Sequence, residues 1–124
     1  MKTKTLVLAL VAVIILGTAL YIFSSSSQGK KTYADDSSPV MFFYSEECTF
    51  CQKQKLILEE LATEGYRVKL MDVGLRTEYW AQYEISGTPT FLAANGDRQV
   101  GLTQAPELRV WLEAHGAKIV QQYV

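Results

Sequence analysis

Histidine and cysteine are scarce in this 124-residue chain, which has one of the first, His115, and two of the second, Cys48 and Cys51. A structural zinc ion takes four ligands, so one Cys-x-x-Cys with a single distant histidine makes a poor metal site, and no metal or bound cofactor is expected. His115 reads as a surface or partly packed residue near a helix C-terminus, where positive charge is favourable. An excess of one charge is missing too: 12 basic and 13 acidic residues leave a formal net charge of -1. That balance provides no basic surface for a nucleic-acid backbone, and no nucleic-acid partner is expected. No internal repeat is visible. Apolar residues are plentiful, at 48% hydrophobic and 11% aromatic, enough for one packed domain rather than a disordered chain.

Their distribution is uneven. Thr5 to Phe23 (TLVLALVAVIILGTALYIF) contains no charged residue and follows Lys2 and Lys4. At about 1.5 Å per residue this run makes roughly 28 Å of helix, close to the hydrocarbon thickness of a bilayer and longer than a usual signal-peptide core. Residues 1–23 are therefore expected to form an N-terminal membrane anchor, a single transmembrane helix. The alternative is a secretory signal cut after Ala34, in Thr32-Tyr33-Ala34, which lies 11 residues beyond the run. Lys2 and Lys4 on one side, against Lys30 and Lys31 offset by Asp35 and Asp36 on the other, favour a cytoplasmic N-terminus. The domain would then face the extracytoplasmic or periplasmic space. Residues 24–38 (SSSSQGKKTYADDSS) are Ser-rich and lack apolar periodicity, as in a flexible linker, so a domain is expected over 39–124.

Within it, Val40 to Tyr44 (VMFFY) is a short continuous apolar run suited to a strand buried on both faces. A helix should follow over Thr49 to Glu64, with Phe50, Ile57, Leu58 and Leu61 inward, Gln52, Lys53, Lys55 and Glu59 exposed, and Gly65 as its stop. Tyr66 to Val73 is a second strand, parallel to the first because a helix joins them. A short helix at Arg76–Glu84 precedes a strand at Thr90–Ala94, and Asn95-Gly96 signals a hairpin into Gln99–Leu102. The last helix runs from Pro106 to His115, with Leu108, Trp111 and Leu112 inward and Gly116 as its stop. The order implies an α/β domain, a mixed sheet of about four strands flanked by helices.

Cysteines at i and i+3 entering a helix lie one turn apart, close enough for a disulfide that opens and closes without unfolding the domain. As a stabiliser such a bridge is weak, because it closes a very short loop. Position favours redox chemistry. Unpaired N–H groups and the positive end of the helix dipole favour thiolate at Cys48, the expected nucleophile, while Cys51, deeper in the helix, is the expected resolving thiol. Glu46 and Glu47 oppose this, so moderate acidification is expected.

The strand VMFFY, the motif CTFC opening a helix, and YEISGTPTFL before a later strand together resemble the thioredoxin superfamily over about Val40 to His115. The resemblance implies a thioredoxin-like fold and a redox-active Cys48–Cys51 disulfide with no other cofactor. It also implies a cis Pro89 beside the pair and a Thr88 backbone offered to an extended substrate peptide. Thr49 and Phe50, between the cysteines, join Thr88 and Pro89 as expected substrate-binding residues. The tail from Asn95 to Gly116 is similar to disulfide isomerases of the DsbC and DsbG type, although their long helical insertion and dimerisation domain have no counterpart. The front equally resembles glutaredoxins, but the Gly and acidic pair with which those hold glutathione are replaced by Gly101-Leu102-Thr103-Gln104. Where thioredoxins carry a buried acid in the strand before the motif, this chain has Phe42, and where they carry a Trp it has Tyr44.

The expected function is a monomeric thiol-disulfide oxidoreductase of the cell envelope, acting on cysteine-containing proteins and a redox partner. Three alternatives stand beside it. One is a weakly active or inactive assembly module using the Pro89 edge or Trp80 and Tyr83; another is a glutaredoxin-like cytosolic reductase; the third is a zinc site shared by two chains. The direction of electron flow is not assigned by the Thr-Phe dipeptide, which is neither the Gly-Pro of reducing thioredoxins nor the Pro-His of strong oxidants.

Overall fold

A computed structural model describes residues 2–24 and 31–119, with side chains for 2–18 and 31–119. The chain divides into two units, Met1–Lys30 and Lys31–Val124. Residues 25–30 of the expected linker, and 120–124 of the expected domain, lie outside the described residues.

The described residues of the first unit form one helix, α1 (Lys2–Ser24). Its described side chains from Lys2 to Thr18 are all exposed, nine large aliphatic ones among them, and no face of the helix is polar. Thr18 keeps its hydroxyl within the helix, donating to the carbonyls of Ile14 and Ile15. Among the described residues no helix is long and apolar enough to cross a membrane. The apolar run of sequence continues to Phe23.

The second unit is built on a four-stranded sheet in the order β2-β1-β3-β4, from β1 (Val40–Tyr44), β2 (Lys69–Asp72), β3 (Thr90–Ala93) and β4 (Arg98–Val100). β1 is parallel to β2, with Met41 opposite Lys69, and antiparallel to β3, with Phe42 opposite Phe91. Strand β4 completes the mixed sheet antiparallel to β3. The expected α/β architecture is the observed one. VMFFY lies centrally because it has apolar side chains for both faces: Phe42 and Tyr44 enter one core, and Phe43 enters the other with Met71, Val73, Ile85 and Leu92.

Helix α2 (Thr49–Ala62) crosses from β1 to β2 and ends near Gly65, whose φ of +96° suits glycine. Its inward face differs from the expected one. The buried stripe is Cys51, Gln54, Lys55, Leu58, Leu61 and Ala62, a 3.6-residue repeat counted from Cys51 rather than Phe50. Phe50, one residue and about 100° away, is therefore 57% exposed, and Lys55, one turn after Cys51, is only 5% exposed.

The chain between β2 and β3 holds a single helical turn, α3 (Tyr79–Gln82), shorter than Arg76–Glu84. It stops because Glu84 takes a left-handed φ of +52°, while the Arg98 guanidinium donates to the Tyr83 and Glu84 carbonyls. Tyr83 packs on Phe43, whereas Trp80 is exposed. The Asn95-Gly96 hairpin forms as expected, but β4 ends at Val100: Gly101 still donates to the Pro89 carbonyl, yet its φ of +88° leaves the extended region and Pro89 has no N–H to return the bond. Helix α4 (Ala105–Ala114) buries Leu108 and Leu112 with Trp111 packed beside them. Both ring nitrogens of His115 face acceptors, the Trp111 carbonyl at 2.7 Å and Asp97 Oδ2 at 2.8 Å. Only the doubly protonated ring donates to both, so the Asp97 hydrogen bond raises the His115 pKa and lowers that of Asp97.

The expectation of a flexible linker up to Ser38 is corrected from Lys31 onward. Tyr33 is 1% exposed in the main core, Ala34 bridges Val68 as a parallel strand would, and the Ser38 hydroxyl donates to the Arg67 carbonyl. Polar composition concealed this, because a single tyrosine supplies the anchoring side chain. Its hydroxyl is buried with no hydrogen-bond partner among the described residues, and burial pushes its pKa up. Tyr33→Phe should therefore raise unfolding stability by about 1 kcal/mol, read from the urea midpoint, because it removes an unpaired buried polar group and keeps the ring. A lower midpoint would mean the hydroxyl is hydrogen-bonded in solution.

Candidate active site

Strand β1 ends at Tyr44, and Ser45 to Glu47 lead directly to Cys48, the N-cap of α2. At that position the backbone is still extended while the following N–H groups have no intrahelical partners. Cys48 uses its sulfur as the cap: Sγ accepts from the Cys51 N–H at 3.1 Å. Negative charge on this sulfur thus meets a backbone donor and the positive helix end together. The two cysteines form a disulfide with Cα atoms 5.1 Å apart. They differ in access, for Cys48 is partly exposed and Cys51 is 0% exposed. An incoming group reaches Cys48 only.

The second wall comes from the segment before β3. The Thr88–Pro89 bond is cis, and the Thr88 carbonyl oxygen lies 3.6 Å from Cys48 Sγ. Pro89 is buried and Thr88 half-buried, while Thr49 and Phe50 stand exposed on the rim. The structure thus brings Cys48 and Cys51 together with Thr88 and Pro89, forty residues away in sequence. Phe50 projects beside them, with the Lys53 ammonium 5.5 Å from its ring.

Electrostatics near the pair differ from the sequence expectation at one residue. Glu46 does not face the cysteines as a free carboxylate, because Lys55 Nζ lies 2.9 Å from its Oε1 and Gln52 donates to its carbonyl. The Lys55 hydrogen bond holds the Glu46 carboxyl below the usual carboxylate range, against a smaller opposing effect of burial. The same ammonium sits 4.3 Å over the Tyr44 ring. A cation in the buried stripe offsets the acid, and sequence reasoning missed it by starting that stripe at Phe50. Phe42 is fully buried and stacks on Phe91 and Tyr44 at centroid distances of 4.9 and 5.3 Å, so its place in the sheet holds no acid. Among the described residues no group of three or more His, Cys, Asp or Glu side chains is placed to hold a metal ion.

The sequence profile named Thioredoxin matches residues 23–114, roughly three-quarters of the chain. This chain belongs to the thioredoxin family. A mutant thioredoxin from Halobacterium salinarum NRC-1 is similar at 25% identity and a TM-score of 0.55, over 68% of this chain and 80% of that one. A thioredoxin from Malassezia sympodialis, at 22% identity and a TM-score of 0.54, is matched over 71% of this chain and 83% of its own. A thioredoxin-like protein from Clostridium perfringens, at 15% identity and a TM-score of 0.56, is matched over 68% and 75%. The last two likenesses concern the fold alone. No curated protein is significantly similar in sequence. Likeness to the DsbC and DsbG isomerases is not specifically shown by these matches.

As a thioredoxin the chain is a thiol-disulfide oxidoreductase. With Cys48 as the reachable sulfur, its thiolate would attack one sulfur of a substrate disulfide, forming a mixed disulfide and expelling the other sulfur as a thiolate. The Cys51 thiolate would then attack Cys48 Sγ, closing the internal disulfide and releasing the second substrate thiolate. Two electrons pass from the cysteine pair to the substrate. The reverse sequence donates the disulfide instead.

Proposed function

We propose that this thioredoxin exchanges disulfides with cysteine-containing proteins at the extracytoplasmic face of a bacterial membrane, held there by residues 5–23. The observation that carries the exchange is the reachable Cys48 sulfur set 3.6 Å from the Thr88 carbonyl, beside the cis Thr88–Pro89 bond. An extended peptide would lie along the Thr88 backbone as an added strand, with its cysteine at Cys48. Pro89, Thr49 and Phe50 would contact the peptide on either side of its cysteine. Support for the anchor comes from the uninterrupted apolar run of sequence and from the exposed aliphatic side chains of α1 between Leu6 and Leu16. Cleavage after Ala34 is disfavoured, because it would detach Tyr33, a core residue, from the domain it helps to fill.

The test is trapping in cells with Cys51→Ser. Mixed disulfides on Cys48 should accumulate in the membrane fraction and disappear with dithiothreitol, and a periplasm-active reporter fused after Val124 should be active. If no dithiothreitol-sensitive adduct accumulates, the exchange reading fails; an inactive reporter or a soluble chain removes the envelope part.

A further inference from the structure

Cys48 and Thr88 belong to separate elements, so how they stand relative to one another depends on whatever holds α2 to the Pro89 segment. Gln54, one turn beyond Cys51, is 0% exposed although it carries an amide. Its side chain pairs in both directions with the backbone of one residue: Nε2 donates to the Thr103 carbonyl at 3.0 Å, and Oε1 accepts from the Thr103 N–H at 2.8 Å. The amide works like a ladder rung between α2 and the segment following β4. That segment is fastened to the substrate wall in turn. The Gly101 N–H donates to the Pro89 carbonyl at 2.8 Å, and the Thr103 hydroxyl donates to the Gly101 carbonyl at 3.3 Å. An aliphatic side chain would fill this part of the core without needing partners. The amide commits two buried polar groups to a single geometry, which constrains how the elements meet.

We propose that Gln54 is a positioning residue: through Thr103 and Gly101 it locks α2 to the Thr88–Pro89 segment and so sets where Cys48 stands relative to the Thr88 backbone along which a protein substrate lies. This inference rests on the oxidoreductase reading and adds to it a division between substrates. A protein disulfide must meet both walls, whereas a small disulfide needs only the Cys48 sulfur.

The full chain in detergent, wild type and Gln54→Met, would be assayed with insulin in multiple turnover with dithiothreitol as electron donor, and, pre-reduced and freed of reductant, in a single turnover with 2,2′-dithiodipyridine. Methionine keeps the length and burial of glutamine but makes neither hydrogen bond. The expected result is a rise in KM for insulin of about ten- to a hundredfold with little change in kcat, and an unchanged rate with the small disulfide. Should Gln54→Met prove unfolded by circular dichroism, Gln54→Glu, which still accepts from the Thr103 N–H, carries the same comparison with a smaller expected rise. Equal loss on both disulfides, or no loss on either, overturns the proposal. A wild-type chain that reduces neither sinks the oxidoreductase reading itself, and this inference with it.

Discussion

Cys48→Ser should reduce the rate at which the chain reduces insulin by about a thousandfold or more, to the background of the assay. A serine hydroxyl is scarcely ionised at neutral pH and forms no disulfide, so neither the attack nor the mixed intermediate survives. No other thiol can take over: the chain has two cysteines, and the remaining one, Cys51, is fully buried behind the first. Fold and stability should be nearly unaffected, because a bridge closing so short a loop contributes little to either. Insulin turbidity measures the rate and circular dichroism checks the fold. Retention of a substantial fraction of the rate would show that Cys51 is reachable, and the assignment of nucleophile and resolving thiol would have to be exchanged.

The largest effect on stability is expected from Phe42→Ala, a loss of about 3 to 5 kcal/mol. Phe42 occupies the central strand, pairs across the ladder with Phe91, and is stacked between that ring and Tyr44. Cutting it back leaves a hole that backbone held on both sides cannot close. Against a total of about 5 to 15 kcal/mol for a domain, such a loss should shift the urea midpoint severely or unfold the chain at ambient temperature. Phe42→Leu should cost distinctly less, since most of the volume remains. If the alanine variant unfolds at the same urea concentration as wild type, the stacked core is not what holds β1 and β3 together.

Phe42 also shows how much of the site was legible beforehand. Its apolar run announced a buried strand, and the resemblance to thioredoxins implied that the acid they carry there would be missing. The strand follows from local order, as does the helix N-terminus at Cys48, because strand, cap and helix are contiguous in the chain. Lys55 was not legible in the same way. A lysine in an amphipathic stretch reads as exposed unless the phase of the helix is known, and Phe50, an aromatic that the fold leaves outside, set the phase wrongly. Tyr33 was hidden for a related reason: its neighbours are polar, and only contact with the distant Val68 segment shows that it belongs to the core.

By itself, the sequence determined the redox pair, the order of strands and helices and the apolar run at the N-terminus, since each depends on residues adjacent along the chain. Tertiary structure alone decided which cysteine is reachable, that Lys55 faces Glu46, and that Gln54 meets Thr103. Those outcomes depend on distances between residues far apart in sequence, which side-chain periodicity does not encode.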